Sequence, residues 1–227
     1  MLRGAGGLCD RRHRGQFRAV GRGGPGAERQ VRPVKKPGKK LALGLAAVAL
    51  AGILGVALGP RLADWVLRLR YPQAFTQVVN REAEEFGLPE ELVYAVIQAE
   101  SGFDPTARSR AEAMGLMQLT EGTFRWMAAE YPPENGGGDI FDANDNVHCG
   151  CALLRLLLNH YEDQEVALAA YNAGMGNVDR WLEDPACSPN GRTLEKIPFP
   201  ETAAYVKKVQ RGQSIYQNLY GGRPPAA

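Results

Sequence analysis

Nineteen consecutive residues, Leu41 to Gly59, carry no charge. A helix rises about 1.5 Å per residue, so LALGLAAVALAGILGVALG reaches roughly 28 Å, the hydrocarbon thickness of a bilayer. Three readings fit such a segment. It is a retained single transmembrane helix, a cleaved signal peptide, or a buried helix of a soluble core. The length and the lack of a polar stripe favour the first. The many alanines and glycines leave cleavage open. Pro60 and Arg61 are expected to end the helix, with residues 60–71 as a linker.

Charge is divided across this segment. Residues 1–40 hold 12 Lys/Arg and two acids, whereas residues 60–227 hold 15 Lys/Arg and 23 Asp/Glu. Lys35, Lys36, Lys39 and Lys40 flank the apolar run on its amino side. The positive-inside bias therefore predicts a cytoplasmic basic tail over 1–40, a membrane helix over 41–59, and a catalytic or binding part outside the cytoplasm. No Cys closely follows the apolar run, which argues against a lipoprotein anchor. An acidic globular part argues against a nucleic-acid partner. A chain that is 44% hydrophobic and 23% charged is not disordered overall. The residues after the anchor suffice for one domain with a real core.

That domain reads as mainly α. Leu92, Val96 and Ala99 recur at helical spacing, with Pro89 at a helix first turn. Residues 143–160 give a long apolar helix. Residues 164–171 and 174–183 give two shorter ones, separated by Asn172-Ala173-Gly174. Residues 200–219 give a last helix. No run alternates convincingly as a strand, and 103–115 reads as a short hairpin or irregular loop. PENGGGD, 133–139, and EDPACSPNGR, 183–192, read as surface loops.

Glu100 carries the chemical signal. It ends an apolar helix face and precedes the helix stop Ser101-Gly102. A carboxylate there faces the negative pole of the helix, and apolar neighbours add desolvation. Both raise its pKa and suit it to general acid work. By position alone it reads more simply as a surface Glu at a helix end.

Its surroundings decide. AESGFDP (99–105), Ser109, GLMQ (115–118), ALAAYNAG (167–174) and PFPETAAYV (198–206) occur in order. Over residues 70–219 the chain resembles the lytic transglycosylases of the soluble-transglycosylase catalytic type, which share the lysozyme-like fold. Asn146 has a counterpart in that pattern. The resemblance implies a catalytic domain over 72–220 with a short tail over 221–227. It makes Glu100 the catalytic acid and base. It makes Ser109, Met117, Gln118, Tyr171, Asn172, Glu201 and Tyr205 the substrate-binding set. Ser109 lies near the carboxylate or the N-acetyl group. The Gln118 amide both donates to and accepts from a sugar. The Tyr171 hydroxyl reaches the catalytic centre, and Asn172 braces the site floor. Glu201 and Tyr205 wall the groove.

The implied substrate is the peptidoglycan glycan strand, cut between N-acetylmuramic acid and N-acetylglucosamine with a 1,6-anhydromuramoyl product. The implied catalytic domain is monomeric and needs no cofactor or metal. A hydrolytic muramidase and a catalytically silent glycan-binding module remain alternatives. Two departures touch loop geometry. Glu112 stands where the family commonly has Gly, and Thr120-Glu121 where it commonly has Met-Pro.

Other residues read as structural. His148 and His160, with Cys149 and Cys151, lack zinc spacing. DANDN, 142–146, starts like a calcium loop, but Val147 stands where Gly is needed. Asp104 reads as a turn cap before Pro105. Glu112, Glu121, Asp139 and Asp142 are candidates for a second carboxylate, each more simply a solvated charge. A pairing of Cys149 or Cys151 with Cys187 is left open. Trp126, Trp181 and Phe141 read as buried anchors.

Overall fold

A computed structural model describes residues 38–133 and 138–221. Most of the basic tail, the centre of PENGGGD, the last six residues and Cys9 lie outside the described residues. The chain divides into two units, Met1–Leu50 and Ala51–Ala227. In the first, the described part is the exposed beginning of helix α1 (Lys39–Arg70). The second holds the rest of α1 and everything after it.

Helix α1 does not stop at Pro60, so residues 60–70 are helix rather than linker. A proline removes only its own N–H and crowds one carbonyl a turn back. The turns beyond it are held independently. Arg68 donates to the Leu219 carbonyl at 2.7 Å, and its guanidinium lies 4.6 Å from the Tyr220 ring centre. Tyr220 donates to the Tyr71 carbonyl at 3.0 Å, and Tyr216 to that of Pro72 at 3.0 Å.

The domain is helical, as its periodicity predicts. Helices α2 (Thr76–Glu85) and α3 (Glu90–Glu100) come first. Strands β1 (Ala113–Met114) and β2 (Leu119–Thr120) form an antiparallel hairpin. Helices α4 (Glu121–Glu130), α5 (Ala143–Tyr161), α6 (Gln164–Ala173), α7 (Met175–Glu183) and α8 (Pro200–Tyr220) follow. Pro89 precedes α3 as its cap residue rather than opening its first turn.

Helix α3 is the core helix. Residues Leu92 through Ile97 are all buried, so it is apolar all round and must be enclosed. Its principal partner is α8. The two approach closely because Gly212 has no side chain. A Cβ there would stand 3.3 Å from the Ala95 Cβ. Helix α5, also buried through its middle, packs against α2, α4 and α6.

Local chemistry explains the boundaries. Thr120 caps α4, its hydroxyl oxygen accepting from the Thr123 N–H at 3.3 Å. Asp142 caps α5, accepting from the Asn144 and Asp145 N–H groups at 2.9 and 3.2 Å. The acid that begins the calcium-like DANDN run is therefore spent as a helix cap. The break between α6 and α7 is Gly174 alone, at φ 83°. Asn172 stays helical. The hairpin lies over 113–120, later than expected, with GLMQ as its turn.

Glu112 sits in the left-handed region at φ 60°. That conformation costs an L-residue roughly 1–2 kcal/mol and a glycine nothing. The family's glycine at this position is thereby explained. The Arg108–Glu112 ion pair at 2.9 Å is exposed and contributes little. Glu112→Gly is expected to stabilise the fold by about 0.5–1 kcal/mol, after the greater unfolded-state freedom of glycine is subtracted. Urea denaturation checks this as a raised midpoint with an unchanged slope.

Cys149, Cys151 and Cys187 are buried free thiols, so the pairing left open by the sequence does not form. Trp181 is buried and meets Phe199 edge-on, as an anchor does, but Trp126 is exposed.

Candidate functional site

Glu100 is the last residue of α3 and is half-buried. Burial pushes its carboxyl from the usual 4.5 up to about 7, against smaller lowering effects from the Tyr205 hydroxyl and the Lys208 charge. The negative end of α3 acts in the same direction as burial. Tyr205 is buried on α8. Its hydroxyl lies close enough to influence the Glu100 carboxyl but makes no well-aligned hydrogen bond. Burial and the Glu100 charge keep Tyr205 a neutral phenol.

Lys208, one turn on from Tyr205, was not singled out by sequence reasoning. Its ammonium donates to the Ala99 carbonyl at 2.6 Å. This satisfies a carbonyl in the last turn of α3 and puts a cation where the helix end is negative. The signal was present in the spacing, since 201, 205 and 208 share one face of α8. Glu201 begins that face, exposed, in the first turn.

The GLMQ turn, which follows Glu100 in the chain, is clamped from three helices. Ser101, just after α3, donates to the Leu116 carbonyl at 2.8 Å and accepts from the Phe103 N–H at 3.1 Å. Asn146 on α5 is fully buried. It accepts from the Met117 N–H at 2.8 Å and donates to the Met114 and Ile140 carbonyls at 3.1 and 2.8 Å. Tyr171 on α6 donates to the Met117 carbonyl at 2.9 Å. Gly115, at φ 78°, leaves no space for a Cβ, which would overlap the Asn146 amide. The motif residues are thus tied to one another through the backbone of a single turn.

This geometry revises several expected roles. Met117 is fully buried, its side chain set against Gly150, so it belongs to the core and not to a groove wall. An apolar side chain beneath a clamped backbone gains more from α5 than from a polar sugar. Gln118 donates both amide hydrogens internally, to Ala107 at 3.1 Å and Gly115 at 3.0 Å. Its carbonyl oxygen is left to accept, so it does not both donate to and accept from a ligand. Ser109 is half-buried and accepts from the Ala111 and Ala113 N–H groups at 3.2 and 3.1 Å, which fixes its loop. Its own proton remains available to donate.

Asn172 accepts from Thr202 at 2.8 Å, bracing α6 against α8. Burial raises the Tyr171 phenol pKa, and the charge of the nearby Glu100 raises it further. Asp104 closes a turn on Thr106, accepting from its N–H at 2.8 Å. Glu112, Glu121 and Asp139 line a separate cleft of about 640 Å³ whose lining does not include Glu100.

One group could hold a cation by donor type. Glu82, Glu85 and His148 bring three ligand atoms within 4.8 Å of one another. The arrangement fits an ion pair instead. His148 Nδ1 meets the Glu82 carboxylate at 2.7 Å, and Nε2 meets the Tyr131 carbonyl at 3.1 Å. Both nitrogens face acceptors, and the Glu82 carboxylate beside the ring raises the imidazole pKa, which favours its doubly protonated form. Arg81 also pairs with Glu82, at 2.7 Å.

The family profile described as Transglycosylase SLT domain matches residues 77–189. The soluble lytic murein transglycosylase of Escherichia coli is 30% identical over 162 residues, covering 70% of this chain and 25% of that protein. Membrane-bound lytic murein transglycosylase C of Pectobacterium atrosepticum is 29% identical over 168 residues, covering 63% of this chain and 46% of that protein. A solved inactive mutant of lytic transglycosylase Slt from Pseudomonas aeruginosa is 33% identical, with a TM-score of 0.61. The match covers 70% of this chain and 26% of that one. The 70 kDa soluble lytic transglycosylase of Escherichia coli is 28% identical with the same TM-score of 0.61, over 68% of this chain and 26% of that one. The chain spans about a quarter of the length of the soluble relative.

Proposed function

We propose, for a chain that belongs to the transglycosylase SLT family through residues 77–189, a peptidoglycan lytic transglycosylase reaction carried by Glu100. The observation that supports it most is a half-buried carboxyl raised to about 7, set at a helix end beside a buried phenol. Such a group holds a proton near neutrality and can give it up and take one back. The similar Pseudomonas enzyme is inactivated by a single Glu-to-Gln change.

In this reading Glu100 first protonates the glycosidic oxygen between N-acetylmuramic acid and N-acetylglucosamine. The C1–oxygen bond breaks with its electron pair on the departing sugar. The carboxylate so formed takes the proton from the muramoyl C6 hydroxyl, and the C6 oxygen closes onto C1. Glu100 ends as it began, protonated, and no water is added. One carboxyl serves both steps, in contrast to the usual pair of glycosidase carboxylates. The substrate's N-acetyl group would supply the stabilisation that a second carboxylate gives elsewhere. The rigid GLMQ turn, the Gln118 carbonyl oxygen, Ser109, Asn172 and the Glu201–Tyr205 face would hold the glycan.

The same reading places the enzyme on a membrane. The described part of α1 includes an apolar span, Ala46–Arg70, in which no residue is buried, and one relative is a membrane-bound lytic murein transglycosylase. The basic residues before it orient the domain outward.

Mass analysis of digested sacculi tests the reaction. Muramoyl ends lighter by one water than hydrolysed ends are expected. Reducing muramoyl ends alone would make the protein a muramidase, and no cleavage would leave a glycan-binding module.

A further inference from the structure

The last turns of α1 carry a feature that the apolar span alone does not require. Leu62, Trp65, Val66 and Leu69 are 62%, 58%, 50% and 65% exposed. At spacings of three and four they fall on one stripe roughly 100° wide. Leu67 and Arg68, on the opposite side, are half-buried, and Arg68 is bonded to Leu219 at the end of α8. The helix therefore has a polar side turned to the domain and an apolar side turned away from it. The apolar side runs on from the uncharged segment without a break in the helix.

We infer that residues 62–69 of α1 stay in the outer leaflet of the membrane, apolar stripe toward the acyl chains, and seat the domain directly on the lipid surface. The inference rests on the membrane reading above. Continuity names the occupant. A stripe that prolongs a bilayer span, with a tryptophan suited to the headgroup level, is solvated most cheaply by the same lipid. The span is long enough to allow it. Twenty-five residues from Ala46 to Arg70 extend about 37 Å, against roughly 30 Å of hydrocarbon. Arg61 and Asp64 lie toward the polar side and need not enter the acyl region.

The test uses the full chain in phosphatidylcholine–phosphatidylglycerol vesicles whose acyl chains are brominated near the headgroup. Flotation reports anchoring, and bromine quenching reports contact of tryptophan with lipid. The chain is expected to float, and part of its emission to be quenched. That part should be missing from Trp65→Phe, which leaves Trp126 and Trp181. Val66→Glu combined with Leu69→Glu should float yet lose most of the quenching, and neither side chain is needed by the core. A chain that floats with no Trp65-dependent quenching overturns the inference and leaves the anchor intact. A chain that does not float overturns both. Trp65 shielded from bromine in a cross-linkable dimer gives the stripe to a second copy and overturns the lipid assignment.

Discussion

Glu100→Gln is expected to lower turnover of purified sacculi at least ~100-fold while the fold is retained. The amide keeps the shape of the carboxyl and cannot give up a proton. Loss of catalysis without loss of structure is the expected signature, read as product release together with an unchanged circular dichroism spectrum. Unchanged activity would remove Glu100 from its proposed role. The parent enzyme's rate should also fall as pH rises through about 7, where burial has placed the carboxyl's titration.

Stability gives the same substitution a second readout. The folded carboxyl titrates near 7 and the unfolded one near 4.5. Between those values the folded state holds more protons, so the parent loses stability as pH rises through that window. Gln does not titrate. Glu100→Gln should therefore melt above the parent at about pH 8, with the gap closing toward about pH 4. A gain in stability alongside a loss of activity would mark Glu100 as a group held at a cost for its chemistry.

The largest structural effect is expected at the junction of Asn146 and Gly115. Asn146→Ala leaves the Met117 N–H and the Met114 and Ile140 carbonyls without their partner in a dry interior. Each stranded group costs about 1–3 kcal/mol, and some relaxation is expected, so the total should be about 3–4 kcal/mol. Gly115→Ala adds a left-handed backbone penalty to an overlap with the same amide, with a comparable result. Denaturant titration measures both. The double variant should cost less than the sum, because truncating Asn146 removes the amide atoms that the new methyl group of Gly115→Ala would strike, although the Ile140 carbonyl oxygen still crowds it. Additive costs would mean that the two residues act independently of the shared contact.

Much of this was legible in the sequence, for identifiable reasons. Long helices with one or more apolar faces declare themselves by period, as α5 and α8 do. Caps such as Thr120 follow from a short polar side chain before a helix. Glu100 was legible because it combines an apolar run, a helix stop and motif neighbours. The end of α1 is misplaced at Pro60, because a proline reads locally as a terminator while the fastening of Arg68 to Leu219 joins residues far apart in the chain. Lys208 stayed hidden for the same reason, since its contact with Ala99 exists only once α8 lies on α3. Met117 and Gln118 are recognisable as motif residues, but pattern alone cannot say which atoms a turn uses internally.

Helix α8 carries Tyr205 and Lys208 toward one end and the Leu219–Tyr220 fastening at the other. The fourteen helical steps from residue 205 to residue 219 make a stiff interval of about 21 Å. Where lipid holds α1, this interval acts as a strut rather than a tether. The Glu100 carboxyl then has a fixed stand-off from the bilayer, and the volume it can reach is a thin shell instead of a sphere. In the proposed reaction, which glycan strands are cut becomes partly a matter of altitude. Tension in a gripped strand would be carried to the anchor along a helix axis, the direction in which a helix yields least.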